Sequence, residues 1–570
     1  MSPDWSGSWV SARLGVALED VDRPVGVGLA ELLGLAVRRN PRRAHLLVSA
    51  VLGKHVPADP RLVRGAGLLL GERVRAVLTA AVAMPPGEPA TPTGERGSDA
   101  AGRAEVFGGR LAEALKGNAH AAVGLRDGLL ARGPDLEAVV LGYAETATAL
   151  GHCVADALGA AYYLHSTRRP VRGVSAYGGF EEEHSHATSH LMLPADSARM
   201  DADLPLVLVD DELSTGTTVL NTIRSLHAVR PRAHYVVAAL VDLRGPADRA
   251  AMELLAAELD VRIEAVALTT GRVVLPEGLL ETARRLVAST EATHAPTAAP
   301  PPGIAPDGAT GGRPRTTARS RPGEGAVRRV ELGWPAGLPD GGRHGFTAAH
   351  AEVLEAALPA MAVRIADALG TAMAHGPSAG PAVPRTGALN PSAGSAGGRS
   401  APGSRVLVLG FEELMYVPLR LAEALADRLD DVEVRSSTTT RSPVLPVDDP
   451  GYAIRTRLTF PAHDDPADGP GERYAYNVAP GTDPARRFDA IVLVLDDAAD
   501  TGELAAGLLA RLTALGAPVL LATVPAYVPV PAHHPRRDGG EIRRAGRDDG
   551  EGQAREAGRT PGADRMGKAR

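Results

Sequence analysis

Two adjacent carboxylates close an apolar run, and a glycine flanked by hydroxyls follows them. These are the residues of this chain best placed to do chemistry. They lie in residues 206–218, Leu-Val-Leu-Val-Asp-Asp-Glu-Leu-Ser-Thr-Gly-Thr-Thr. The apolar residues predict a buried strand, and the hydroxyl-rich end predicts the start of a helix. In open parallel sheets ligands sit just beyond the carboxyl ends of the strands. A helix amino terminus there offers unpaired N–H groups and a positive dipole end to a phosphate. Gly216 lets the backbone approach that phosphate closely, and Thr215, Thr217 and Thr218 add hydroxyl donors. Asp210 and Asp211 lie too near the phosphate unless they hold something else, and the vicinal hydroxyls of a ribose are the natural candidate. The plain alternative is a strand–turn–helix junction in which Asp, Ser and Thr only cap a helix. The preceding apolar run and the paired acids weigh against it.

The stretch resembles the ribose-phosphate loop of the type I phosphoribosyltransferases, whose signature is four apolar residues, two acids and a later Thr-Gly-Thr. The resemblance implies an α/β fold with a parallel-sheet core and phosphoribosyl diphosphate as substrate. It makes Asp210, Asp211, Ser214, Thr215, Gly216, Thr217 and Thr218 the phosphoribosyl-binding residues. Mg²⁺ is the implied cofactor, with Asp210 and Asp211 as its protein ligands.

Two further loops fit the same chemistry. Residues 136–141 predict a strand that runs into Gly142-Tyr143-Ala144-Glu145-Thr146 and then a helix to about Leu158. Exposed N–H groups at a helix start again suit an anion, and the placement resembles the family's diphosphate loop. Glu145 does not fit a simple anion site, so a metal or a helix cap is its expected partner. Lys54, in Gly53-Lys54-His55 after a predicted strand, joins the diphosphate set. A second strand, 160–165, gives way to Ser166-Thr167-Arg168-Arg169-Pro170 and a loop of about thirty residues, long enough to be a functional lid. In the family this segment is the mobile flap. Arg168 and Arg169 suit diphosphate oxygens through paired charge-assisted donors. His184, His186 and His190 admit three readings: flap residues moving a proton or holding the leaving group, a zinc site, or a solvated polar tract. The expected catalytic set is Asp210, Asp211, Arg168, Arg169, His184 and His186. His152 and Cys153 fall inside a helix and are expected to pack.

The strands and helices that must position these loops follow from the pattern around them. Strands and helices alternate from about residue 104 to 290, the mark of a five-stranded parallel core covered by helices. Residues 1–83 form an expected hood or accessory segment, and 84–103 a polar, Pro/Gly-rich disordered insertion. A linker covers 291–325. A second, Rossmann-like α/β domain covers 326–530 with its own disordered insertion at 376–404, and 531–570 is an expected disordered tail. With 46 Pro and 64 Gly in 570 residues, part of the chain is linker. A formal net charge of -7 argues against binding nucleic acid or anionic membrane. The single cysteine leaves no disulfide within the chain. No apolar run is long enough to span a membrane, so a cytoplasmic location is expected.

The second half repeats the order of the first. Leu409-Gly410-Phe411-Glu412-Glu413 answers residues 141–145, Thr440-Arg441-Ser442-Pro443 answers 167–170, and Asp496-Asp497 with Thr501-Gly502 answers Asp210-Asp211 with Thr215-Gly216. The second half reads as a diverged copy. Where Thr217 should meet a phosphate, the copy has Glu503, which satisfies the helix dipole itself and repels an incoming phosphate. The combination resembles the phosphoribosyltransferases encoded in bacterial tellurium-resistance and stress-response clusters, marked by a carboxyl-terminal Thr-Arg-Ser-Pro domain. That resemblance implies a place in making or modifying a nucleoside-like metabolite. The expected function is phosphoribosyl transfer to a base-like nucleophile. Its alternatives are a noncatalytic binder of phosphoribosyl diphosphate that regulates a partner, and a phosphorolytic enzyme acting on a nucleotide. Expected partners are phosphoribosyl diphosphate, the small-molecule nucleophile and a second copy in a homodimer.

Overall fold

The computed structural model describes residues 5–39, 43–83, 95–131, 133–169, 171, 174–181, 189–293, 327–374, 403–463 and 471–529. In chain order the strands are β1 (Ala17–Asp22), β2 (Leu33–Val37), β3 (His45–Ser49), β4 (Val139–Gly142), β5 (Tyr162–His165), β6 (Gly178–Glu181), β7 (Ser189–Met192), β8 (Leu206–Leu213), β9 (His234–Asp242) and β10 (Arg262–Val274). They continue as β11 (Val327–Val330), β12 (Ser404–Gly410), β13 (Val432–Thr438), β14 (Arg457–Pro461), β15 (Glu472–Tyr476), β16 (Ala490–Asp496) and β17 (Val519–Val524).

The short apolar runs Val-Val-Leu-Gly, Tyr-Tyr-Leu-His and Leu-Val-Leu-Val are buried on both faces. That is how strands of a parallel sheet covered by helices must read. The first sheet has the order β1-β10-β9-β8-β4-β5, parallel except that β1 joins β10 antiparallel. The chain leaves β4 outward to β5 and then returns to β8 on the other side, so the order reverses between β4 and β8. Ligands of such sheets bind at that reversal, beyond the carboxyl ends. Gly142 pairs with Val209 there, so the loop after β4 and the loop after β8 leave the sheet side by side.

The second sheet has the order β11-β17-β16-β12-β13, all parallel. Reading β5-β4-β8-β9 beside β13-β12-β16-β17 gives one order for both halves, as a diverged copy requires. An antiparallel hairpin follows the second core strand of each half, β6–β7 in one and β14–β15 in the other.

Several boundaries differ from the sequence reading. The core sheet has six strands instead of five, because β1 from the presumed hood pairs along the exposed edge of β10. The helix Glu95–Leu115 begins inside the presumed 84–103 insertion, since buried Phe107, Leu111 and Ala114 give it a face to pack. Within the presumed flap the described residues pair β6 with β7 antiparallel, a cross-strand pairing that periodicity alone does not reveal. Residues 182–188, and with them His184 and His186, lie outside the described residues, as do 294–326, 375–402 and 530–570. Among the described residues no helix is long and apolar enough to cross a membrane.

Candidate active site

The carboxyl-terminal half of β8 carries Asp210, Asp211 and Glu212 half-buried, and exposed Ser214 and Thr215 follow the strand. Gly216 stands at φ 78 directly before the helix Thr217–Val229. An L side chain is strained there, and its Cβ would lie 3.2 Å from Arg244 Cδ. No side chain caps this helix from the capping position, and among the described residues the Thr218 and Val219 amides of its first turn donate to no group, as an anion site needs. Thr215 Oγ1 accepts the Thr217 amide at 3.3 Å and lies 3.0 Å from Thr217 Oγ1, which holds the two hydroxyls together. Asp210 turns back on the strand and accepts the Asp211 amide at 2.9 Å. Burial, and after it the Glu212 charge, push the Asp211 carboxyl above its ordinary range against the pull of Lys54. Glu212 itself is held by Arg43 at 2.6 Å.

At the end of β4, Gly142 is required: a Cβ would sit 2.5 Å from Tyr163 Oη. The Gly142 carbonyl accepts the Ser166 amide at 2.9 Å, and Ser166 Oγ accepts the Ala144 amide at 3.0 Å. Tyr143 and Ala144 are buried, and the Ala144–Glu145 peptide is cis. The Glu145 and Thr146 amides donate to no group among the described residues, so two N–H groups of this turn stay available. Lys54 is buried with its Nζ 2.9 Å from Thr146 Oγ1 and 3.6 Å from Glu145 Oε2. Burial opposes ionisation of Glu145, but Lys54, Arg168 and Arg441 outweigh it and hold the carboxyl below its usual range. Lys54 therefore acts electrostatically on both loops, which the sequence reading grouped only by type.

The flap residues are placed less simply. The Arg168 guanidinium lies 3.3 Å from His190 Nε2, while its charge still bears on Glu145. Arg169 is turned away to Glu412 of the second half at 2.8 Å. His190 is buried with Nδ1 2.9 Å from Ser166 Oγ. His152 stacks on Tyr416 with centroids 3.9 Å apart, and Cys153 is buried, so both are packing residues. Sequence reasoning missed the partners from the other half: Thr440, Arg441, Glu412, Glu413 and Arg343. A second repeat would have pointed to the last, since Gly342-Arg343-His344 echoes Gly53-Lys54-His55.

The family model described as phosphoribosyl transferase matches residues 32–272, and that of the TRSP domain C-terminal to it matches residues 383–512. This chain belongs to the phosphoribosyltransferases that carry a carboxyl-terminal TRSP domain. It is a transferase, and the loops after β4 and β8 both fall within the phosphoribosyltransferase domain. The TRSP domain takes in β12 to β16 and its own Thr440-Arg441-Ser442-Pro443.

Solved structures similar to this phosphoribosyltransferase include three adenine phosphoribosyltransferases. That of Rhodothermus marinus is 21% identical, with 23% of this chain and 68% of the other covered and a TM-score of 0.18. That of Giardia lamblia, with 9-deazaadenine, is 17% identical over 27% and 83%, at 0.20. That of Trypanosoma brucei is 15% identical over 26% and 67%, at 0.19. No curated protein matches.

Proposed function

We propose that this protein transfers the phosphoribosyl group of phosphoribosyl diphosphate to a base-like nucleophile, with Mg²⁺. One juxtaposition carries the reading. The Gly216 helix start with its paired acids and the open amides of Glu145 and Thr146 leave neighbouring strands at the reversal of one sheet, and Lys54 lies between them. The first suits a sugar phosphate with its vicinal hydroxyls on Asp210 and Asp211. The second suits the diphosphate on Gly142 to Thr146 and Lys54.

Breaking the bond from the anomeric carbon to diphosphate leaves an oxocarbenium-like ribose. The chain's task is to position charge and exclude water. Asp210 and Asp211 orient the sugar through its hydroxyls, and Lys54 and the loop amides take up charge on the departing diphosphate. Two carboxylates with oxygen donors suit a cation that keeps water and substrate oxygens in its shell. Neutralising negative charge on the diphosphate is the chemistry Mg²⁺ supplies there when bound. A cytoplasmic, stress-linked role in a nucleoside-like metabolite pathway is part of the same proposal.

The test is diphosphate release from phosphoribosyl diphosphate with a panel of nucleobases. Asp211→Asn should lower the rate by about 10²–10³, the effect of removing one preorganised group. Tight binding of the substrate with no release by any nucleophile would instead make the protein a noncatalytic sensor.

A further inference from the structure

The two halves share strand order and also the bonds that shape their loops. Ala144 N donates to Ser166 Oγ at 3.0 Å, and Glu412 N to Thr439 Oγ1 at 3.1 Å. Ser166 N donates to Gly142 O, and Thr439 N to Gly410 O. Arg169 N donates to Thr167 Oγ1 at 3.1 Å, and Ser442 N to Thr440 Oγ1 at 3.2 Å. The two copies also face each other reciprocally. Glu413 accepts from Thr167 Oγ1 at 2.8 Å and pairs with Arg343 at 3.4 Å. Its counterpart Glu145 accepts from Thr440 Oγ1 at 3.3 Å and pairs with Arg441 at 3.4 Å and Lys54 at 3.6 Å. The segment after Lys54 bridges the second half's edge strand (Ala58 with Ser436), and the segment after Arg343 bridges the first half's (Phe346 with Tyr163). Such mutual exchange is the contact pattern of an isologous dimer, here built within one chain.

The symmetry breaks at the ligand loops. Glu412 stands where the first half has Ala144, and its buried carboxylate takes Arg169, Arg441 and Arg473. The Leu414 amide, counterpart of the open Thr146 amide, donates to Phe411 O at 2.9 Å. Asp496 is spent capping Ala499, and Thr501 caps Leu504 while donating to His463 O. The second half has turned most of its own loop groups to internal bonds while keeping its reach into the other.

We propose that Thr440 and Arg441 are positioning residues of the diphosphate loop in the first half, acting across the internal interface through Glu145. The proposal rests on the function above. A carboxylate in an anion site repels the anion unless it is neutralised and held aside. Lys54 is shared between the two loops, its Nζ 3.6 Å from Glu145 while its charge also pulls on Asp211. Thr440 and Arg441 supply the second hold on Glu145, so the Glu145 and Thr146 amides face a loop whose charge is already balanced.

The test titrates the full chain with inorganic diphosphate and, separately, with ribose 5-phosphate, which needs only the Gly216 loop. Arg441→Gln should weaken diphosphate binding at least tenfold and leave ribose 5-phosphate within twofold, with Arg441→Lys recovering part of the loss. Thr440→Val, which removes the bond to Glu145 and the acceptor of the Ser442 amide but no charge, should weaken diphosphate by about threefold and serves if the arginine variants fail to fold. Unchanged diphosphate affinity, or an equal loss for both ligands, overturns the proposal. A wild-type chain that binds neither ligand overturns it together with the function beneath it.

Discussion

Glu412 offers the sharpest test of the internal interface. Its side chain is 0% exposed and accepts from Arg473 Nε at 2.5 Å, Arg441 Nε at 2.7 Å and Arg169 Nη2 at 2.8 Å. Arg473 is itself 4% exposed. Removing one partner of a buried ion pair costs roughly 3–5 kcal/mol, because the remaining charge stays in a poorly solvated place. Arg441 keeps Glu145 at 3.4 Å, which softens the loss, while Arg169 and Arg473 lose a shared carboxylate. Glu412→Ala should therefore cost about 4 kcal/mol, close to three decades in the folding equilibrium. Urea unfolding followed by circular dichroism reads this directly. The control is Glu433→Ala, whose carboxylate is 41% exposed beside Arg405 and Arg435 and should cost no more than about 1 kcal/mol. The cluster freed in Glu412→Ala should also accept an added anion. Phosphate at a hundredfold excess over its dissociation constant would restore about 2.7 kcal/mol, beyond any stabilisation it gives the wild type. If Glu412→Ala is no less stable than the control, or phosphate stabilises both proteins equally, the reasoning from that cluster is wrong.

Two more outcomes follow from the same interface. Burial opposes the Glu413 charge, but Arg343, Arg169 and His165 outweigh it and hold the carboxyl at about 2 against an ordinary 4.5. A carboxyl lowered in the folded state contributes stability that is complete above pH 4.5 and lost as pH falls toward 2. The stability–pH curve should drop on the order of 3 kcal/mol over that window, and Glu413→Gln should flatten that limb. Gly342→Ala would bring a Cβ to 2.2 Å from the Tyr163 ring. It should cost about 1–3 kcal/mol through overpacking, measured by urea unfolding, whereas Gly337→Ala, with nothing within 4 Å but a positive φ of 76, should cost only the roughly 1–2 kcal/mol of left-handed backbone.

What the chain decides locally, its sequence states. The loop of residues 210–218 is contiguous, so its acids, glycine and hydroxyls reach one helix tip by covalent connection alone, and the apolar run before them makes β8 a buried strand. The same holds for residues 142–146 after β4 and for the repeated motifs of the second half. Tertiary structure decided what those motifs touch. Glu145 meets Thr440 across 295 residues, and Thr167 meets Glu413 across 246. Arg169, which by type suits a diphosphate, spends its charge on Glu412. The physical reason is that residue type and spacing encode local backbone and which face is buried, while the partner of a buried charge is set by whichever opposite charge the packing of two sheets brings within reach.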